Sequence, residues 1–174
     1  TENTEFYQAL TYTSPRDDFM IAEANPFIPE SASVPNREIK EDMLPVSLIN
    51  SGGANLYFGV DHEFLRPKGV ISFKILFPDD VMTLKHRVYL KLYAACVNES
   101  LNELGYPAKQ AGLNYSFREG YEGIFLNVSG YSESAMTLYE MILDHMVDFS
   151  ITEDQFNGLK DMVIRNIRSF FTGL

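Results

Sequence analysis

Apolar and polar residues alternate in several short stretches of this chain, and that period of two is what most constrains its fold. Ile71, Phe73, Ile75 and Phe77 alternate with Ser72 and Lys74. Leu113, Tyr115 and Phe117 alternate with Asn114, Ser116 and Arg118, and Ile124, Leu126 and Val128 with Phe125 and Asn127. A further run, Leu56, Phe58 and Val60 against Asn55, Tyr57 and Gly59, follows the turn signal Ser51-Gly52-Gly53. Successive side chains of a strand point to opposite faces, so each stretch reads as a strand with one face toward a core. The loop Glu119-Gly120-Tyr121-Glu122 is short enough to join the last two as a hairpin.

The remaining apolar residues recur with a helical period. The stretch from about Val81 to Leu104 reads as one long helix, with the Asp79-Asp80 carboxylates placed to cap its start and Gly105 and Pro107 to end it. Leu84, Val88, Leu92, Ala95, Val97 and Leu101 spread widely around it, which predicts burial over most of its circumference. Two helices close the chain. Ser132 is the expected cap of the first, with Met136, Tyr139, Leu143, Met146 and Val147 on its apolar face. Thr152 and Gln155 form a capping-box signature for the second, whose stripe is Phe156, Leu159, Val163, Ile167 and Phe170. The order is ββαββαα, an α+β fold in which helices pack on one face of a mainly antiparallel sheet.

The first 50 residues differ from the rest. Pro15, Pro26, Pro29, Pro35 and Pro45 recur too closely for a helix or a central strand. We expect residues 1–50 to form an extended linker that wraps the domain, docked by Phe27, Ile28 and Val34. Residues 51–174 are then the α+β domain, enough chain for one real core.

Composition narrows the function. A formal net charge of -10 argues against nucleic acid, because counterion release needs clustered Lys and Arg. That acidity serves solubility and is compatible with basic peptide partners. No apolar run approaches the roughly 20 residues of a membrane span. Thr1 is followed by Glu2 and Glu5, without the basic start of a signal peptide. Cys96 is the only cysteine, so no internal disulfide can form.

Residues that could carry chemistry are dispersed. His62, His86 and His145 are the only histidines and lie far apart in the chain. His145 and Asp148 would share a helix face, but two ligands without a third make a weak metal site. Cys96 lies between Ala95 and Val97 inside a helix, where a thiol is inert packing more often than a nucleophile. No G-x-S-x-G elbow exists, and Ser51-Gly52-Gly53 lacks the lysine and spacing of a phosphate loop. Arg165 and Arg168 read as solvated. The many tyrosines, among them Tyr89, Tyr93, Tyr106, Tyr115, Tyr121 and Tyr131, read mainly as half-buried packing.

One set of motifs, in order, points to a family. Ser100-Leu101-Asn102-Glu103-Leu104-Gly105-Tyr106-Pro107-Ala108 is followed by Ala111-Gly112-Leu113-Asn114-Tyr115 and then by Gly130-Tyr131-Ser132. Upstream lie Asn25-Pro26-Phe27-Ile28-Pro29 and a D-x-x-F-x-x-P-K pattern made by Asp61, Phe64, Pro67 and Lys68. Together these resemble the third domain of the pitrilysin/insulysin zinc peptidases, the inverzincins, over roughly Asn25 to Phe171. The resemblance implies four homologous domains in two halves around a chamber for unfolded peptides. The first domain of such a protein holds zinc, and the third mainly builds the wall and the contact between halves.

The zinc motif H-x-x-E-H is absent here. His86 has Tyr89 and Leu90 where the motif requires Glu and His. No catalytic, cofactor-binding or metal residue is therefore carried over to this chain, and zinc is expected in the catalytic domain of a parent chain. The resemblance implies a non-catalytic structural, peptide-chamber domain of a zinc metalloendopeptidase. The alternative is a structural or interaction homologue whose own chain has no peptidase activity. Expected partners are the remaining domains of the parent and the unfolded peptides it degrades. The resembled domain continues past this chain's last residue, so truncation and self-association through exposed apolar surface are expectations. The family's bacterial members suggest an extracytoplasmic, periplasmic home.

Overall fold

The computed structural model describes residues 23–34, 44–61 and 63–173. Strands β1 (Val46–Ser51) and β2 (Ala54–Phe58) come first, followed by β3 (Lys68–Leu76). Helices α1 (Leu84–Ser100) and α2 (Asn102–Gln110) lead into strands β4 (Asn114–Glu119) and β5 (Gly123–Tyr131). Helices α3 (Ser132–Val147) and α4 (Glu153–Thr172) complete the order. The expected ββαββαα arrangement is present, with β1 ahead of it and the long helix divided into α1 and α2. β1 straddles the expected boundary between residues 50 and 51.

The second sheet has the order β3-β5-β4 and is antiparallel throughout. Its register places Ile71, Phe73 and Ile75 opposite Val128, Leu126 and Ile124, which in turn meet Tyr115 and Phe117 of β4. These side chains share one face, as the alternation predicts. Helix α3 lies over β5 and β3, α1 lies over β4, and α4 packs against α1. The enclosed core joins the sheet to Ala94, Val97 and Leu101 of the first helical stretch and to Ala135, Leu138 and Ile142 of α3. Val97, Leu101, Val128, Leu138 and Ile142 are fully buried. Each such side chain contributes about 1.5–3 kcal/mol relative to exposure.

Gly123 faces the backbone of Ile75 with no room for a side chain. At φ +149 a side chain would be strained, and a Cβ there would lie 1.9 Å from the Ile75 carbonyl oxygen. By contrast, Gly52 (φ 62) and Gly53 (φ 80) turn β1 into β2, the positive-φ pair of a type I′ hairpin. Every residue of that hairpin is exposed, so its alternation does not mark a buried face.

Several local expectations are corrected. The Pro78 carbonyl accepts hydrogen bonds from the N–H groups of Val81 and Met82, so Asp79 and Asp80 sit in a turn before the helix. Thr83, not an aspartate, caps α1, accepting from the His86 N–H. The first turn of α1 is not wrapped: Leu84 is 75% exposed, Leu90 and Tyr93 are half-buried against the core, and full burial begins at Ala94.

Gly105 and Pro107 do not end the helical stretch. The chain tightens at Leu101, whose N–H reaches the carbonyls of both Val97 and Asn98, and then restarts. Gly105 is small because the Tyr115 hydroxyl lies 3.3 Å from where its Cβ would be. The actual stop is Gly112 at φ +75. Gly112 N–H donates to the Lys109 carbonyl and Leu113 N–H to the Ala108 carbonyl, the paired bonds of a Schellman motif.

On α3, Tyr131 occupies the cap position and Ser132 is the first helical residue. The buried stripe is Ala135, Leu138 and Ile142, while Met136 and Val147 are exposed. The capping box of Thr152 and Gln155 forms as expected. Along the stripe of α4, Val163 is buried, but Phe156 and Phe170 are exposed. Upstream, of the three side chains expected to dock, Phe27 is fully buried, whereas Ile28 is 61% and Val34 41% exposed.

Candidate functional site

The residues singled out for chemistry fall into separate places. His62 lies outside the described residues. His86 is exposed on the first turn of α1, where its Nδ1 donates to the Val81 carbonyl. The hollow beside it is lined by Phe77, Val81, Met82, Tyr89, Leu90 and Tyr93, none of which suits zinc. The residues at this helix do not fit the metal that the family motif would hold. Among the described residues, no three His, Cys, Asp or Glu side chains are grouped to bind a metal ion.

A second, polar hollow lies where the end of α1, the end of α3 and the start of α4 meet. It is lined by Glu99, Ser100, Glu103, His145, Asp148 and Gln155, among others. His145 Nδ1 lies 3.3 Å from Ser100 Oγ, a pairing that superficially suggests an activated hydroxyl. Ser100 Oγ has a closer acceptor in the Val97 carbonyl at 2.8 Å, and with its single proton engaged there the imidazole donates to Oγ rather than drawing a proton from it. Glu99 is held as well, accepting from Asn102 at 3.1 Å and from Gln155 at 3.2 Å. These bonds tie the helices together.

The other candidates take packing roles. Cys96 is 4% exposed, and burial pushes its thiol pKa up, the opposite of what a nucleophile needs. Ser51-Gly52-Gly53 forms the hairpin turn, and Arg165 and Arg168 are exposed on α4. Tyr93 donates to the Met146 carbonyl and meets Phe117 and Phe149 edge-on. Burial likewise raises the phenol pKa of Tyr93, Tyr115 and Tyr139.

One grouping escapes a reading of strands one at a time. The face of the β3-β5-β4 sheet that turns away from the core carries Lys68, Lys74 and Arg118. Lys74 Nζ lies 5.4 Å and Arg118 Cζ 4.7 Å from the centroid of the Phe125 ring. In the sequence, each appears only as a polar alternate of its own strand. The signal is their shared parity once the register of the strands is known.

Comparison with known proteins completes the picture. The family model described as the middle or third domain of peptidase M16 matches residues 3–173. The human insulin-degrading enzyme is 28% identical over 152 residues, covering 87% of this chain and 15% of that one. A putative zinc protease, mug138, of Schizosaccharomyces pombe is 25% identical over 169 residues, covering 97% of this chain and 17% of its own. In fold, the crystal structure of pitrilysin superposes with a TM-score of 0.76 at 21% identity, over 86% of this chain and 16% of that one. The chain thus spans only a small part of the length of the relatives it matches. With its sheet, its helices and its ordered motifs in place, this chain belongs to the family of middle, or third, domains of the M16 peptidases.

Proposed function

We propose that the chain is a non-catalytic structural domain that forms part of the peptide chamber of a zinc-dependent metalloendopeptidase. The observation that carries this reading is the match, over residues 3–173, to the third domain rather than to a whole peptidase. The relatives' names add support: they include insulin-degrading enzymes and a putative zinc protease. The residues of this chain offer buried packing, exposed apolar side chains and an open sheet face, which suit a wall. In this reading, residues 1–50 lead into the domain and residues 51–174 form its body. The partners are the remaining domains of the parent and its peptide substrates, in an extracytoplasmic compartment that cell fractionation would check.

Exposed apolar side chains at Leu84, Val147, Phe170 and Phe171 mark surface that the rest of the parent would cover. The isolated chain should therefore self-associate. Size-exclusion chromatography with light scattering checks this, and a monomer at all concentrations counts against it.

The decisive experiment measures zinc and peptide hydrolysis in the parent and in this 174-residue chain. Zinc and activity in the parent, with neither in the chain, are expected. A parent with neither would move the assignment to a structural or interaction homologue. Stoichiometric zinc in the chain alone would overturn the reading of its histidines.

A further inference from the structure

We propose that the open face of the β3-β5-β4 sheet binds carboxylate-bearing segments of extended peptides. The inference rests on the peptide-chamber reading above and names the class of peptide that this part of the wall favours. It starts from parity. On β3 the outward residues are Lys68, Val70, Ser72, Lys74 and Leu76, all exposed. By register they meet Tyr131, Ser129, Asn127, Phe125 and Gly123 of β5, and beyond these Asn114, Ser116 and Arg118 of β4. Among the described residues, the three strands thus present three cations and no carboxylate on this face, in a chain with a formal net charge of -10. Acidity in bulk and a basic sheet face are compatible, because a surface potential follows the local arrangement of charge.

The cations are also held in place. Lys74 and Arg118 stand on the two strands that flank β5, and both heads lean on the ring between them, at 5.4 and 4.7 Å. Lys68 rests on Tyr131 at 5.3 Å. Among the described residues the ion pair formed is Lys91 with Glu119, so none of the three has a carboxylate partner there. A carboxylate resting at the outer edge of the Phe125 ring would be attracted by both charges. Between the charged ends, Ser72 donates to Asn127 at 2.6 Å in a belt of small polar side chains that also includes Asn114 and Ser116.

Spacing selects the ligand. Lys68 and Lys74 lie six residues apart on one strand, about 20 Å at the rise of an extended chain. A peptide laid along β3 presents every second side chain to the sheet. Acidic residues roughly six positions apart then reach both ends of the face together.

The test uses the 174-residue chain and a labelled Ser/Gly-rich peptide with two Glu residues about six positions apart. Fluorescence anisotropy should show binding that weakens with added salt and is largely lost when both Glu residues become Gln. The double variant Lys74→Gln/Arg118→Gln should bind about tenfold more weakly, since each exposed pair is worth up to a few-fold. Lys91→Gln, away from this face, should bind unchanged. Exchanging the sign with Lys74→Glu/Arg118→Glu should turn the preference toward a Lys peptide, and circular dichroism checks that each variant is folded. Equal binding of the Gln peptide, or full binding by the folded double Gln variant, would overturn the inference. So would tighter binding of a single-stranded oligonucleotide than of the Glu peptide. Because binding is read on this chain alone, an inactive parent leaves the result standing, and failure here with an active parent removes only this inference.

Discussion

Replacing Phe27 by Ala tests whether the segment at residues 23–34 belongs to the core or only lies on it. Phe27 is fully buried within the same cluster as Leu101, Leu113 and Leu138. Its N–H donates to Asn25 Oδ1 at 3.0 Å, and Asn25 Nδ2 donates to the Pro107 carbonyl at 2.8 Å. The Ser31 N–H reaches the Glu133 carboxylate at 3.3 Å. Removing a buried Phe from a core that cannot collapse costs about 3–5 kcal/mol. For a chain of this size, that lowers the melting midpoint by about 6–20 °C. If the segment instead peels away as a local unit, the cost cannot exceed its docking free energy. Urea denaturation followed by circular dichroism is the assay, since the chain has no Trp to report by fluorescence. The expected result is a lower midpoint at an unchanged slope. Ile28→Ala, at a residue 61% exposed, is the control and should cost under about 0.5 kcal/mol. A Phe27→Ala loss below about 1 kcal/mol, close to that control, would refute the reasoning.

Other expectations follow from single features. Gly123→Ala should prevent β3 from pairing with β5 and leave the chain largely unfolded by circular dichroism, because the new Cβ meets the Ile75 carbonyl. Thr152→Ala should lower stability by about 1 kcal/mol in denaturant titration, by removing the Oγ1 that accepts from the Gln155 N–H at 3.2 Å. Burial raises the pKa values of Tyr93, Tyr115, Tyr139 and Cys96, so the folded state holds these protons longer than the unfolded chain. That stabilisation is complete below the unfolded values and is lost as pH rises through the folded ones. Urea midpoints should therefore fall from about pH 9 upward, and Tyr93→Phe should flatten part of that limb. A midpoint that rises with alkalinity would contradict the sign.

The three strands of the main sheet were legible because each contributes a buried face, and burial writes a period of two into the chain. The capping box at Thr152 was legible for a different reason, since its two hydrogen bonds are local and need no tertiary partner. Helix ends fared worse where tertiary contacts decide them. Gly105 reads as a stop, yet its smallness answers to the Tyr115 hydroxyl on a neighbouring strand, and the αL stop lies at Gly112. The stripe of α3 was displaced because Ala135, an unremarkable residue in a sequence, is the one pressed against the sheet, while larger Met136 and Val147 face outward. The Lys74, Phe125 and Arg118 grouping needed the register of strands distant in sequence, which alternation alone does not supply.

The β1–β2 hairpin has a consequence for handling this domain in solution. Two strands with no buried face are marginally stable in water. The amide hydrogens of residues 46–57 should therefore exchange with solvent faster than those of the main sheet when the domain is alone. Seating the hairpin against another surface would slow that exchange without altering the rest of the fold. Deuterium uptake over this one segment then becomes an internal gauge of docking, readable in a mixture, before any activity is known.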